Sequence, residues 1–262
     1  MTRRKIYFRA DASATIGYGH FIRTLALADM LKDDFDCTFF TASPSSYQIE
    51  EMSKVCNHIV LNEESKLEDF ISFLTGDEIV FLDNYFFTTE YQRIIKNKGC
   101  KLVCVDDMHD RHYVADVVIN HGFADPQQFS KEKYTKLALG CEYALLRKPF
   151  LTHSKSEKNK GEWVVCFGGS DAHDLTSKVV KFLSKREDVT QIHAIVRDAY
   201  KHRDILKQLN KVIIHSRLSA EEMAALYRAS EYVVCSASSV CYEALACQCT
   251  IYAGYYVDNQ KE

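Results

Sequence analysis

The sequence predicts an α/β protein: two tandem Rossmann-like βαβ domains facing a cleft. Three observations predict it. Short β-rich runs alternate with runs of helical apolar spacing from end to end, and alternation at these lengths implies parallel sheets covered on both faces. One polar stretch, Thr152–Glu162, interrupts the pattern, which then restarts. The chain has 262 residues, 47% of them hydrophobic, enough for two cores where a typical domain takes ~100–150 residues.

In order, Lys5–Arg9 reads as a strand and Phe21–Lys32 as a helix, with Ile22, Leu25, Leu27 and Leu31 near helical spacing. Strands follow at Cys37–Phe40, His58–Leu61, Glu78–Leu82, Lys101–Val105 and Val117–Ile119. Helices fall between them at Ser45–Val55, Leu67–Leu74 and Glu90–Lys98. The charged segment Thr152–Glu162, without apolar residues, reads as a linker between domains at 1–150 and 151–262. Beyond it come strands at Trp163–Phe167, Gln191–Val196, Val212–His215, Tyr232–Cys235 and Thr250–Gly254. Helices at Leu175–Ser184, Tyr200–Leu209, Ala220–Arg228 and Ser239–Cys247 separate these strands.

A net charge of −3 gives no footprint for a nucleic-acid partner. No apolar stretch approaches the ~18 residues of a membrane span, and no signal-peptide pattern follows Met1. Ten cysteines sit mostly in strand-like apolar runs, such as Cys104, Cys166 and Cys235. There a thiol acts as a small buried hydrophobe, so reduced cysteines and a cytoplasmic location are expected. Cys247 and Cys249 form a CxC with no second pair nearby, so no metal and no cofactor are expected.

Doubly wound sheets bind ligands outside the carboxyl ends of their strands, and three segments there carry candidate chemistry. The first runs from Arg9 and Asp11 through Gly17, Tyr18 and Gly19 to His20. Its glycines permit close approach to a ligand, and the following helix start suits a phosphate. A histidine at that point serves equally as a surface cap or as a proton acceptor. The second, Gly168-Gly169-Ser170-Asp171, is a phosphate cradle or a tight turn capped by Ser170, Asp171 or Asp174. The third brings Ser238 and Ser239 to a helix start with Glu243 one turn on. It suits a diphosphate and a ribose diol, or a plain helix cap. Asp83-Asn84-Tyr85, Asp106-Asp107, His109, His112 and the Asp258-Asn259-Gln260 tail read first as polar loop residues.

Each segment is ambiguous alone; their order is not. FRADASATIGYGHFIRTLALA, FLDNY, GCEYALLR, CFGGSD, SASSVCYEAL and YVDNQ together resemble one family along the whole chain. That family is the UDP-2,4-diacetamido-2,4,6-trideoxy-beta-L-altropyranose hydrolases of pseudaminic acid biosynthesis, glycosyltransferase-B-like proteins. The resemblance implies that His20 is the general base activating water for inverting attack at the anomeric carbon, with UDP leaving. It implies that Gly17, Tyr18 and Gly19 line the sugar and diphosphate, that Tyr85 and Asn259 reach the sugar, and that Arg9, Asp11 and Arg147 give support or substrate contact. It also implies that Gly168, Gly169, Ser170, Ser238 and Ser239 hold the nucleotide and diphosphate, and Glu243 the ribose. A terminal helix is implied beyond Asn259-Gln260 and is expected to be missing, since the sequence stops at Glu262. A UDP-sugar is the expected partner. The rival readings are a UDP-sugar-dependent glycosyltransferase of the same fold and a non-catalytic nucleotide-sugar-binding subunit.

Overall fold

The structure, a computed structural model, describes residues 3–13, 17–122, 124–152, 157–168, 171, 173–197 and 200–255. Its contacts divide the chain into two compact units between Leu145 and Leu146.

In the first unit the elements are β1 (Lys5–Arg9), α1 (Gly19–Leu31), β2 (Asp36–Ala42), α2 (Ser46–Val55), β3 (Asn57–Leu61), α3 (Lys66–Ser72), β4 (Ile79–Leu82), α4 (Thr89–Asn97) and β5 (Lys101–Val105). Then come β6 (His112–Tyr113), β7 (Val117–Asn120), β8 (Ser130–Lys131) and β9 (Lys136–Leu139). Seven strands form one parallel sheet in the order β3-β2-β1-β4-β5-β7-β9. Successive strand residues point to opposite faces, so Phe39 and Phe40 feed two separate cores. Phe39 packs with Phe8, Phe21 and Leu25; Phe40 packs with Leu61, Phe70, Val80 and Ile95. Capping fixes where helices start. Ser45 and Gln48 make a reciprocal capping box at α2, and Thr88 accepts from the Tyr91 N–H at α4.

The second unit holds α5 (Lys148–Leu151), β10 (Asn159–Cys166), α6 (Leu175–Leu183), β11 (Gln191–Ile195), α7 (Arg203–Lys207), β12 (Val212–His215), α8 (Ala220–Ala229), β13 (Ser230–Ser236), α9 (Ser239–Ala246) and β14 (Thr250–Gly254). Its parallel sheet runs β12-β11-β10-β13-β14. Trp163, Val165, Val180, Leu183, Ile192 and Leu206 form its core.

The two-domain α/β architecture follows the sequence reading, with local differences. The second unit takes in residues 146–150, because the Arg228 guanidinium donates to the Pro149 carbonyl and Arg147 bonds Glu243. The expected linker ends early: β10 already begins at Asn159, where a bulge lets its polar first residues pair with β13. The expected helix at 200–209 contracts to α7. The short strand β9 carries little sequence signal, since Lys136–Leu139 is only half-buried and alternates weakly.

In both sheets the order reverses beside the first strand. The crevice outside the carboxyl ends of β1 and β4, and likewise of β10 and β13, is where such sheets take ligands.

Candidate active site

In the first unit β1 ends at Arg9 and β4 at Leu82, so the chain leaves both strands at the same edge. Gly17 stands at φ +85°, and a Cβ there would meet open space, so the glycine is required by backbone conformation alone. The turn it makes delivers Tyr18 to the helix boundary, where it makes no side-chain capping bond. His20, in the first turn of α1, is buried.

His20, Arg23 and Thr24 lie at i, i+3 and i+4 on α1, one face of the helix. All three converge on Asp83. His20 Nδ1 is 2.7 Å from Asp83 Oδ1. Arg23 donates to both Asp83 oxygens, each at 2.6 Å, and the Thr24 hydroxyl donates to Oδ2 at 3.0 Å. Burial would raise the Asp83 carboxyl; the Arg23 guanidinium and the His20 ring outweigh burial and hold it far below the usual carboxylate range. An ionised carboxylate only accepts hydrogen bonds, so the ring carries its proton on Nδ1, although Arg23 Nη2 also lies 3.1 Å from that nitrogen. In the neutral ring this tautomer leaves the lone pair on Nε2.

Tyr85 presents its ring edge-on to His20, with centroids 4.6 Å apart, and its hydroxyl donates to Asp107 Oδ2 at 3.1 Å. Tyr85, Asp107, Met108 and Arg111 rim a small pocket beside this cluster, floored by Leu82, Cys104 and Tyr113.

Arg9 and Asp11 sit behind the loop rather than on the crevice. Arg9 is fully buried, its fork engages both Asp11 oxygens, and its guanidinium lies 5.8 and 5.7 Å from the Phe86 and Phe87 ring centres. Asp11 also accepts from the Ala42 N–H at 2.7 Å and faces Lys66 Nζ at 3.3 Å. Burial opposes its charge, but Arg9 prevails and lowers its carboxyl. Support and sugar contact are both expected of this pair from the sequence; here both Asp11 carboxylate oxygens are engaged by Arg9. The Asp11 N–H and carbonyl are also tied to the Asn84 side chain at 2.7 and 3.2 Å, pinning the β1 loop to the β4 loop.

In the second unit Gly168 follows β10 at φ +76°, with open space where a Cβ would stand. Gly169 and Ser170 lie outside the described residues, as does Asn259. Asp174 is the N-cap of α6 but makes no side-chain capping bond; the first helical N–H groups, of Leu175 and Thr176, go instead to the two oxygens of Asp171 at 2.8 and 2.9 Å. That helix start is filled by a protein carboxylate. The start of α9 differs. Ser238 is the N-cap but makes no side-chain capping bond, its hydroxyl pairing with that of Ser236 at 3.0 Å, and Ser239 opens the helix. Glu243 is buried and gripped by Arg147 through bonds of 2.8 and 3.0 Å. Two residues assigned from the sequence to different parts of a ligand are therefore bonded to each other.

Sequence reasoning set Asp83 and Asp107 aside as loop residues and passed over Arg23 and His121. The available signal was the His-x-x-Arg-Thr spacing, which puts three polar side chains on one face of α1. His109 belongs to a separate cluster, its Nδ1 lying 2.6 Å from Asp106 Oδ2, while His112 bonds Ser130 and Glu132.

Among the described residues no helix is long and apolar enough to cross a membrane. The cysteines are free thiols.

No family model matches the chain. It is 28% identical, over 98% of its length and 93% of the relative's, to the UDP-2,4-diacetamido-2,4,6-trideoxy-beta-L-altropyranose hydrolase of Campylobacter jejuni subsp. jejuni serotype O:2. It is 25% identical to an uncharacterized protein of Methanocaldococcus jannaschii, of which it spans 57%. Among solved structures, Phytolacca americana UGT2 complexed with UDP-2fluoro-glucose and pterostilbene matches 99% of the chain at a TM-score of 0.65, covering 82% of that protein, with 10% identity. Anabaena HepE in complex with UDP and glucose matches 95% at 0.61, covering 80%, with 13% identity. Acinetobacter baumannii MurG matches 95% at 0.52, covering 85%, again with 13% identity. These likenesses establish the glycosyltransferase-B-like fold of two Rossmann-like domains.

Proposed function

We propose that the chain hydrolyses a UDP-linked 2,4-diacetamido-2,4,6-trideoxy sugar to free sugar and UDP, as a step toward a nonulosonic acid such as pseudaminic acid. The observation that carries the reading is the His20–Asp83 contact at the carboxyl edge of the first sheet, in a chain similar over 98% of its length to a hydrolase of that class.

In this mechanism Asp83 accepts the Nδ1–H of His20 and orients the ring. Nε2 then takes a proton from water as its oxygen attacks the anomeric carbon from the face opposite UDP, so the configuration inverts. The C–O bond to the diphosphate breaks, and UDP leaves as an anion. A positioned base of this kind contributes ~10²–10⁴-fold. In the second domain the start of α9, at Ser238 and Ser239, and the Gly168 turn are the groups assigned to the diphosphate. A helix start with an uncapped first turn offers N–H groups and a partial positive charge to that leaving group. Glu243 keeps the ribose assignment only through carboxylate lone pairs that Arg147 does not use. Tyr85 is assigned to the sugar on the strength of its place beside His20.

A UDP-sugar-dependent transferase is the second reading, favoured by the fold likeness to glycosyltransferase structures. One assay separates the two. UDP release from the UDP-linked trideoxy sugar is followed without any acceptor, with and without EDTA, for wild type and His20→Ala, and the anomer formed first is identified by proton NMR. Release of UDP and inverted free sugar by wild type, falling ~10²–10⁴-fold in the variant, supports hydrolysis. Release only when an acceptor alcohol is added overturns it in favour of the transferase.

A further inference from the structure

We propose that Arg23 is a positioning residue for His20. Gripped by Asp83 on one side and Asp107 on the other, it fixes the carboxylate on His20 Nδ1, so that the ring meets substrate with its proton on Nδ1 and its lone pair on Nε2. The inference rests on the reading of His20 as the base and names what makes it one.

The geometry is a double fork. Arg23 Nε and Nη2 engage Asp83 Oδ2 and Oδ1, while Nη1 and Nη2 engage Asp107 Oδ1 and Oδ2 at 2.9 and 2.8 Å. The planar guanidinium suits two carboxylates at once, as a lysine ammonium does not. Burial works against the Arg23 charge, but Asp107 and Asp83 outweigh it and hold the group firmly protonated. The same Nη2 lies 3.1 Å from His20 Nδ1, so a fixed positive charge stands beside the ring.

That charge has a chemical consequence. A buried carboxylate facing a lone imidazole is best satisfied when the imidazole takes a second proton, which would abolish the lone pair on Nε2. Arg23 supplies the complementary charge instead. The groups facing His20 are Arg23 on its own helix, Asp83 and Tyr85 after β4, and, around Arg23, Asp107 after β5 and His121 after β7. Burial, followed by the Arg23 charge, lowers His121, which keeps that ring neutral. His121 Nε2 lies 3.4 Å from Arg23 Nη1. The fixed charges are then two negative and one positive, and losing Arg23 leaves two carboxylates uncompensated near the ring.

The test compares wild type with Arg23→Gln, Arg23→Lys and Asp107→Asn. The readouts are the 15N NMR signals of the His20 ring, assigned by their loss in His20→Ala, and the pH profile of kcat/KM for UDP release. Arg23→Gln should move the acid limb of the profile to higher pH than in wild type, since it removes the positive charge beside the ring. Asp107→Asn removes a negative charge and should move it the opposite way. Arg23→Lys keeps the charge but not the fork, so the limb should stay in place while kcat falls roughly tenfold with KM little changed. Simple loosening of the core would not give opposite shifts from Arg23→Gln and Asp107→Asn. Shifts in the same direction, or none, overturn the proposal. If Arg23→Gln fails to fold, Asp107→Asn and Arg23→Lys carry the same test. The NMR arm reads the ring without turnover, so absent UDP release in wild type alongside the expected ring shifts would sink the hydrolase reading and leave the role of Arg23 standing.

Discussion

The Arg147 guanidinium holds both oxygens of the Glu243 carboxylate, at 2.8 and 3.0 Å, inside the second domain. Arg147 precedes α5 and Glu243 lies on α9, so the pair fastens the segment entering the domain to the helix beside its candidate diphosphate site. Burial pushes the Glu243 carboxyl up, and Arg147 pulls it back only in part. A carboxyl raised in the folded state contributes stability that is full below its unfolded value near 4.5 and is lost as pH rises through the folded value. Arg147→Met leaves that charge buried without its partner. It should cost about 3 kcal/mol at neutral pH, and the deficit should shrink as pH falls toward 4.5 and Glu243 takes up a proton. Urea unfolding at several pH values checks this, and a pH-independent deficit would show that the pair acts through packing alone.

Asp83→Asn should separate orientation from binding. An amide can donate as well as accept, so it no longer dictates which ring nitrogen of His20 carries the proton. Turnover should fall ~10²–10⁴-fold while UDP affinity, assigned to the second domain, stays unchanged. Steady-state kinetics with UDP titration calorimetry measures both.

How much of this was legible in the sequence depends on what each residue's role rests on. His20 and Gly17 were readable because a Gly-x-Gly-His turn after a strand constrains its own backbone. Strands such as Lys101–Val105 and Val212–His215 were readable to the residue because their apolar runs end at polar neighbours. Asp83 was visible but unassignable. It lies 63 residues from His20, and only the sheet order, which sets β4 beside β1, brings the two together. The carboxylates that engage Arg23 are likewise distant in sequence, 60 and 84 residues away. Arg147 and Glu243, 96 residues apart, each matched a ligand role on motif grounds, and pairing between them has no local sequence signal.

Acid should unfold the first domain through a small set of carboxylates. Burial opposes the charge on Asp11, Asp83 and Asp107, yet Arg9 lowers the first and Arg23 the other two. Burial opposes the charge on Glu78 too, but hydrogen bonds from the Thr75 hydroxyl and the Gly76 and Thr75 N–H groups lower it to about 2. A carboxyl lowered in the fold contributes stability that is present above its unfolded value and lost as pH falls through the folded one. Stability should therefore decline as pH drops below 3.8, the unfolded value of an aspartate. In Asp83→Asn the decline should be shallower. Circular dichroism along an acid titration distinguishes the two slopes, and parallel curves would remove Asp83 from the set.

Tyr85 offers a test of how the sugar is held. Its hydroxyl already donates to Asp107, while its ring stands against His20 and remains 41% exposed. A contact made by the ring survives in Tyr85→Phe, which loses one partly exposed hydrogen bond and should cost no more than about 1 kcal/mol of stability. KM for the UDP-sugar should then stay within about twofold in the Phe variant, whereas Tyr85→Ala removes an apolar wall worth ~1.5 kcal/mol and should raise KM roughly tenfold. Initial-rate measurements on both variants decide it. A large KM increase already in Tyr85→Phe would mean that the hydroxyl leaves Asp107 to bind sugar, and the Asp107 carboxylate would then be free to shift its hold on Arg23 during turnover.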